Sequence, residues 1–182
     1  MNAPDWKKCT EEQLWKYVAY HLAKGGIECV LVGGAVVAIY SEGAYHSGDL
    51  DLIAERYELP RVMQILNALG FEKVHGRHFE HPDCSHLIIE FPPGPISIGD
   101  DRNIVPDILR VDGQRLRIFS PTDCIRDRLA SYIHFNAREC LEQAVLVANN
   151  QPFNLKKVEQ WCSSEGAEDK FLEFKKRIRK PI

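Results

Sequence analysis

The stretch from Leu31 to Ile53, LVGGAVVAIYSEGAYHSGDLDLI, limits the fold more than any other part of the chain. A short apolar run with strand character, Cys29-Val-Leu-Val32, breaks at Gly33-Gly34. Asp49-Leu-Asp51 stands fifteen residues beyond Gly34, at the head of a second apolar run. Side chains alternate faces along a strand, so Asp49 and Asp51 point the same way, roughly 7 Å apart. Two like charges on one face repel, and burying them without a counter-charge costs several kcal/mol. A divalent cation removes that cost. Carboxylate pairs suit Mg²⁺, which takes a few hard oxygen ligands and keeps positions for substrate phosphates and water. A strand that ends in Gly-Gly and runs into a helix exposes backbone N–H groups, and the missing side chains let a phosphate come close. Together the two features point to a metal–nucleotide site. Neither the GxGxxG dinucleotide pattern nor the Gly-Lys-Ser/Thr phosphate loop is present.

The flanking sequence predicts an α+β chain. Thr10-Glu-Glu-Gln13 fits a helix-opening capping box, followed by Leu14, Val18 and Leu22 at helical spacing and a stop at Gly25-Gly26. Strands are expected at Cys29–Val32 and Asp49–Ala54, with a short helix over Ala35–Ser41 between them. Pro60 opens a helix through Val62, Ile65, Leu66 and Leu69 that Gly70 ends. Strands at 71–75, 78–81 and 86–91 precede Pro92-Pro-Gly-Pro95, which cannot continue a sheet. Ile108–Val111, Asp112-Gly113 and Arg115–Phe119 form a hairpin pattern. From Ser120 the character becomes helical, with helices at about 121–134 and 138–149, the second carrying a Leu141, Ala144, Val145, Ala148 stripe. Two shorter helices follow. This divides the chain into an α+β part over 1–119 and a helical C-terminal part over 120–182.

With 182 residues, 45% apolar and 27% charged, the chain is of ordinary globular composition, and a net charge of −3 argues against general coating of nucleic acid. No DNA-binding motif stands out. The N-terminal residues lack a secretory stretch, and the longest nearly apolar run, Cys29–Tyr40, is about half of what a membrane span needs. Six scattered cysteines without a Cys-x-x-Cys pair are expected to be reduced thiols in a cytoplasmic protein.

Gly33-Gly34 followed by Asp49-Leu-Asp51, with His46-Ser47-Gly48 in the approach loop, resembles the signature of the nucleotidyltransferase superfamily built on the DNA polymerase β palm. In particular it resembles the compact bacterial members, including AbiEii-type toxins. The segment Asp123–Ala130 with Leu141–Ala144 is similar to the stretch that follows the palm in those proteins. The resemblance implies a mixed sheet with flanking helices and a phosphate site at Gly33, Gly34, Ser47 and Arg128. It also implies a third carboxylate on a later strand.

Glu90, alone among apolar residues in Leu87-Ile-Ile-Glu-Phe91, is the candidate for that third carboxylate, with Asp107 and Glu80 as alternatives. On the family's pattern Asp49, Asp51 and Glu90 would be the catalytic and metal-binding residues. They would hold two Mg²⁺ ions that activate an acceptor hydroxyl for in-line attack on the α-phosphate of a nucleoside triphosphate (NTP). The expected function is transfer of a nucleoside monophosphate to a hydroxyl on RNA (tRNA especially), protein or a small molecule. The alternative is a silent palm-fold binding protein, such as a component of a toxin–antitoxin system. Glu90 decides between them: within metal-bridging reach of the aspartates it favours the enzyme.

Other clusters carry weaker readings. His75, His78, His81 and His86 invite a zinc site, but strand alternation would scatter them. His46 is either a phosphate or acceptor contact or a solvated loop residue. Arg128 is either a triphosphate partner or half of a structural ion pair. Phe171, Phe174 and Ile178 with Lys175, Lys176, Arg177, Arg179 and Lys180 form a basic amphipathic end that either docks on the domain or leans on RNA.

Overall fold

Thr10 opens the first helix as its sequence requires. The threonine hydroxyl accepts from Gln13 N–H while the Gln13 side chain returns to Thr10 N–H, and α1 runs Glu11–Lys24. The computed structural model describes residues 1–54 and 58–179. A 3-10 turn at Trp6–Lys8 precedes α1, and β1 (Cys29–Val32), α2 (Gly34–Tyr40) and β2 (Asp49–Ala54) follow it. Next come α3 (Leu59–Ala68), β3 (Glu72–Lys73), β4 (His78–His81), β5 (Cys84–Glu90) and the hairpin β6 (Asp107–Val111) with β7 (Gln114–Ile118). Asp112 and Gly113 both take positive φ in the hairpin turn, which matches the strands' twist. The chain ends in α4 (Pro121–Phe135), α5 (Arg138–Asn150), α6 (Leu155–Ser164) and α7 (Glu168–Arg177).

Among the described residues the sheet has seven strands, in the order β3-β4-β5-β2-β1-β7-β6. It is mixed: β1 runs parallel to β7, β2 parallel to β5, and the other pairs are antiparallel. This is the α+β architecture with a helical C-terminal part that the sequence implied. One buried apolar cluster joins the sheet to both sets of helices, from Leu14 and Val18 through Leu31, Leu50 and Leu52 to Leu141, Trp161 and Phe174. No helix among the described residues is long and apolar enough to cross a membrane.

Three local expectations shift. The third strand expected over 71–75 is only Glu72–Lys73, and β5 starts two residues before the expected 86. The buried stripe of α5 is Cys140, Leu141, Gln143, Ala144 and Val147, while Val145 and Ala148 are half-buried. Helical spacing from Leu141 and Ala144 continues to Val147; Val145 sits beside that line rather than on it.

All six cysteines are free and buried. Burial pushes the thiols of Cys9, Cys29 and Cys162 up to about 12, so they fill core space and stay protonated.

Candidate active site

The site begins with strand register. Val32 on β1 faces Asp51 on β2, Asp51 faces Glu90 on β5, and Glu90 faces His78 on β4. Residues directly opposite in a sheet share a face, so the four form one row across four strands. Asp49 lies two residues before Asp51 and therefore on the same face. The result is a three-carboxylate group in which Asp49, Asp51 and Glu90 each bring a ligand oxygen to within 4.8 Å of the others. Asp49 is exposed and the other two are half-buried.

Such crowding has a measurable consequence at Asp51. Burial, then the Asp49 and Glu90 charges, push its carboxyl up to about 7, with the Arg128 guanidinium acting in the opposite direction. A group held in that state is short of positive charge, and a divalent cation among the three oxygens would supply it. The donor set, all hard carboxylate oxygen, fits Mg²⁺ or Mn²⁺.

The glycine pair does something the sequence reading missed. Gly33 takes φ 74°, and a Cβ built there would lie 2.1 Å from Asp51 Oδ2. A Cβ on Gly34 would lie 2.6 Å from Ser47 Oγ and 3.4 Å from the Tyr45 hydroxyl. The missing side chains therefore make room first for the site's own Asp51 and Ser47. The helix that follows is only seven residues long, so any phosphate contact here rests on the backbone at the glycines rather than on a helix dipole.

Ser47 is buried and its hydrogen bonds are committed. Its hydroxyl donates to Asp49 Oδ1 at 2.8 Å, and its N–H donates to Glu11 Oε1 at 2.9 Å. Glu11 is thus a buried α1 carboxylate that pins the loop leading into β2. His46 Nδ1 lies 3.3 Å from the same Glu11 oxygen, with its side chain 77% exposed to solvent.

On the helical side, Arg128 of α4 donates from Nε (3.1 Å) and Nη2 (2.6 Å) to Asp127 Oδ2 and from Nη1 to Gln143 Oε1 (3.4 Å). Burial works against its charge, and the adjacent Asp127 more than offsets this, so its pKa is raised. The guanidinium acts on both Asp51 and Tyr45. Tyr45 and Gln143 also line an adjoining groove of about 490 Å³, together with Glu139, Glu142 and Leu146.

The alternatives to Glu90 lie elsewhere. Asp107 is on edge strand β6, separated from β2 by β1 and β7, and Glu80 faces Glu72. The histidines do not gather into a zinc site. His78 Nε2 meets Glu90 Oε2 at 3.0 Å, and the exposed His75 ring tilts over His78 at 4.2 Å. His81 is buried under Trp6, and His86 Nε2 meets the Cys9 carbonyl at 2.8 Å. Among the described residues the three carboxylates are the one group of three or more His, Cys, Asp or Glu side chains whose ligand atoms all lie within 4.8 Å of one another. Arg126, on the other face of α4 from Arg128, is buried against Asp123 and Asp101. Phe171 and Phe174 of the basic end are buried, and Lys180 lies outside the described residues.

Solved structures show the same arrangement of chain. An antigenic nucleotidyltransferase-like protein from Paracoccidioides brasiliensis superposes with a TM-score of 0.57 at 15% identity, covering 96% of each chain. The chain has a nucleotidyltransferase fold. The solution structure of the antibiotic-resistance factor ANT(2'')-Ia matches this fold equally well, with a TM-score of 0.57 at 15% identity over 88% of this chain and 93% of its own. No protein-family profile matches the sequence, and neither does any curated protein. The likeness to these nucleotidyltransferase folds therefore shows in the short Gly-Gly and Asp-x-Asp motifs and in three dimensions, and not across the whole sequence. Glu11, Tyr45 and Gln143 escaped the sequence reading as site residues, and His78 figured there only as one of the four histidines of a possible zinc site.

Proposed function

We propose that the protein is a metal-dependent nucleotidyltransferase that moves a nucleoside monophosphate from an NTP onto a hydroxyl acceptor. The observation that carries this reading is the convergence of Asp49, Asp51 and Glu90 within 4.8 Å on a nucleotidyltransferase fold. A silent binding protein has no need to press three carboxylates together and hold one of them near neutrality.

In this reading Asp49, Asp51 and Glu90 are the residues that would hold Mg²⁺. When bound, the metal supplies the positive charge that lowers the acceptor hydroxyl's pKa and offsets the charge of departing pyrophosphate. The chain's own residues do the rest. Gly33 and Gly34 bring backbone up to the carboxylates, so a triphosphate lying against them is held beside the acids. Ser47, itself held by Glu11, fixes the rotamer of Asp49. Arg128, anchored by Asp127 and Gln143, offers a fixed positive charge on the helical side, where a triphosphate's anionic oxygens would face it. The groove at Tyr45 and Gln143 gives room for the nucleoside or the acceptor. RNA, a protein side chain and a small molecule all present suitable hydroxyls.

Incubation with each α-labelled NTP, Mg²⁺ and bulk tRNA or cell extract tests the proposal. Label should pass to an acceptor and the transfer should vanish in Asp51→Asn. Binding of NTP with no transfer to any acceptor would leave the silent binding protein.

A further inference from the structure

We infer that His78 is a positioning residue for Glu90, holding the third carboxylate in the orientation a divalent cation requires. The inference rests on the metal-site reading above and names the residue that keeps that site in shape. Four observations carry it. His78 stands directly opposite Glu90 in the β4–β5 register, at the end of the row that begins at Val32 and passes through Asp51. Its Nε2 lies 3.0 Å from Glu90 Oε2. Its other ring nitrogen, Nδ1, is buried with no hydrogen-bond partner. The His75 ring lies over it, 4.2 Å away and tilted by 31°.

The third observation decides against packing as the reason for a histidine here. A buried nitrogen without a partner is a net cost, which a leucine or phenylalanine in the same slot would avoid. What histidine offers instead is the Nε2–H. A carboxylate only accepts, so Nε2 is the donor in this contact. Donation to Oε2 fixes one oxygen of Glu90 and leaves the carboxylate's other oxygen free of that bond. Metal-ligating carboxylates are commonly held by an outer partner of this kind, whose loss costs about 10–100-fold in metal affinity. The His75 ring packs against the His78 ring at 4.2 Å. The neighbouring strand β2 already places Asp51 beside Glu90, so without His78 the repulsion between these two acids would turn Glu90 outward.

Mn²⁺ binding to the full-length protein, followed by the paramagnetic resonance signal of the free ion without nucleotide, tests this. His78→Leu should weaken Mn²⁺ binding about 10–100-fold, while the urea midpoint of the metal-free protein holds. His78→Gln, whose side-chain amide can donate over a similar reach, should recover most of the affinity. The inference is overturned if His78→Leu binds Mn²⁺ as the wild type does, or if His78→Gln is as weak as His78→Leu. It is also overturned if affinity falls only in step with the urea midpoint, since the contact is then a structural ion pair. A wild-type protein that binds no Mn²⁺ overturns the metal-site reading itself. Wild-type binding indifferent to His78 overturns this inference alone.

Discussion

Asp51 is the residue at which the site's purpose and the fold's stability oppose each other. Its carboxyl rises from 3.8 to about 7 on folding, through burial first and then Asp49 and Glu90. A carboxyl raised in the fold binds its proton more tightly folded than unfolded. Its protonation therefore favours the folded state below about pH 4, and that contribution drains away as pH climbs to about 7. In metal-free protein the urea midpoint should fall across this window, and Asp51→Asn should flatten the fall and raise stability at pH 8. The same variant should transfer no nucleotide, so the exchange is between stability and activity. Mg²⁺ should restore wild-type stability above pH 7, and below pH 7, where Asp51 still carries its proton, binding should release that proton, which calorimetry in buffers of different ionisation heat would register. Gly33 is bound to the same residue. Gly33→Ala meets both a positive φ and the Asp51 carboxylate, and should cost about 1–3 kcal/mol in urea unfolding together with most of the Mn²⁺ affinity.

At the scale of elements, α1 acts on the site through one side chain. Glu11 receives the buried Ser47 N–H, and Ser47 in turn holds Asp49. Glu11→Ala leaves that N–H unpaired at a cost of about 1–3 kcal/mol, and should raise KM for NTP more than it lowers kcat. Glu11→Gln, which keeps an acceptor, should stay close to wild type in both unfolding and steady-state kinetics. This contact also marks where sequence stops being legible. The capping box of α1, the Gly-Gly break, the Asp-x-Asp strand and the hairpin are local patterns, and each produced the element its spacing implies. Glu90 was legible because a lone charge inside an apolar strand is costly unless a partner or an ion offsets it. Glu11 was not, because it occupies an ordinary first-turn position and its partner stands 36 residues away. Tyr45, Gln143 and His78 were hidden for the same reason: their roles arise from packing and register between elements. The α5 stripe was legible in part: Leu141 and Ala144 are buried and Val145 and Ala148 pack half-buried against the same core, while Cys140 and Val147 extend the buried line where the sequence pattern did not place it.

At the scale of the molecule, the helical part is tied to the sheet part by a buried ion cluster. Arg126 is 1% exposed and bonds Asp123 at 2.8 Å and also Asp101, while Lys157 of α6 reaches the same Asp123 oxygen at 2.9 Å. Its guanidinium lies over the Trp161 ring, whose Nε1 donates to the Ile98 carbonyl. Arg126→Met should cost about 3–5 kcal/mol, because it strips a fully buried Asp123 of its main partner, and thermal unfolding would show it directly. That cluster keeps α4 in place, and α4 carries Arg128 to the acidic row, so the fold's two halves meet at the proposed triphosphate.

The central claim is that this fold moves the α-phosphate of a nucleotide. Parallel incubations with α-labelled and γ-labelled NTP, Mg²⁺ and acceptor extract test it most directly. The account predicts that the α label enters the acceptor while the γ label leaves as pyrophosphate, and that both changes cease in Glu90→Gln. Transfer of the γ label to the acceptor, or full activity in Glu90→Gln, would contradict it.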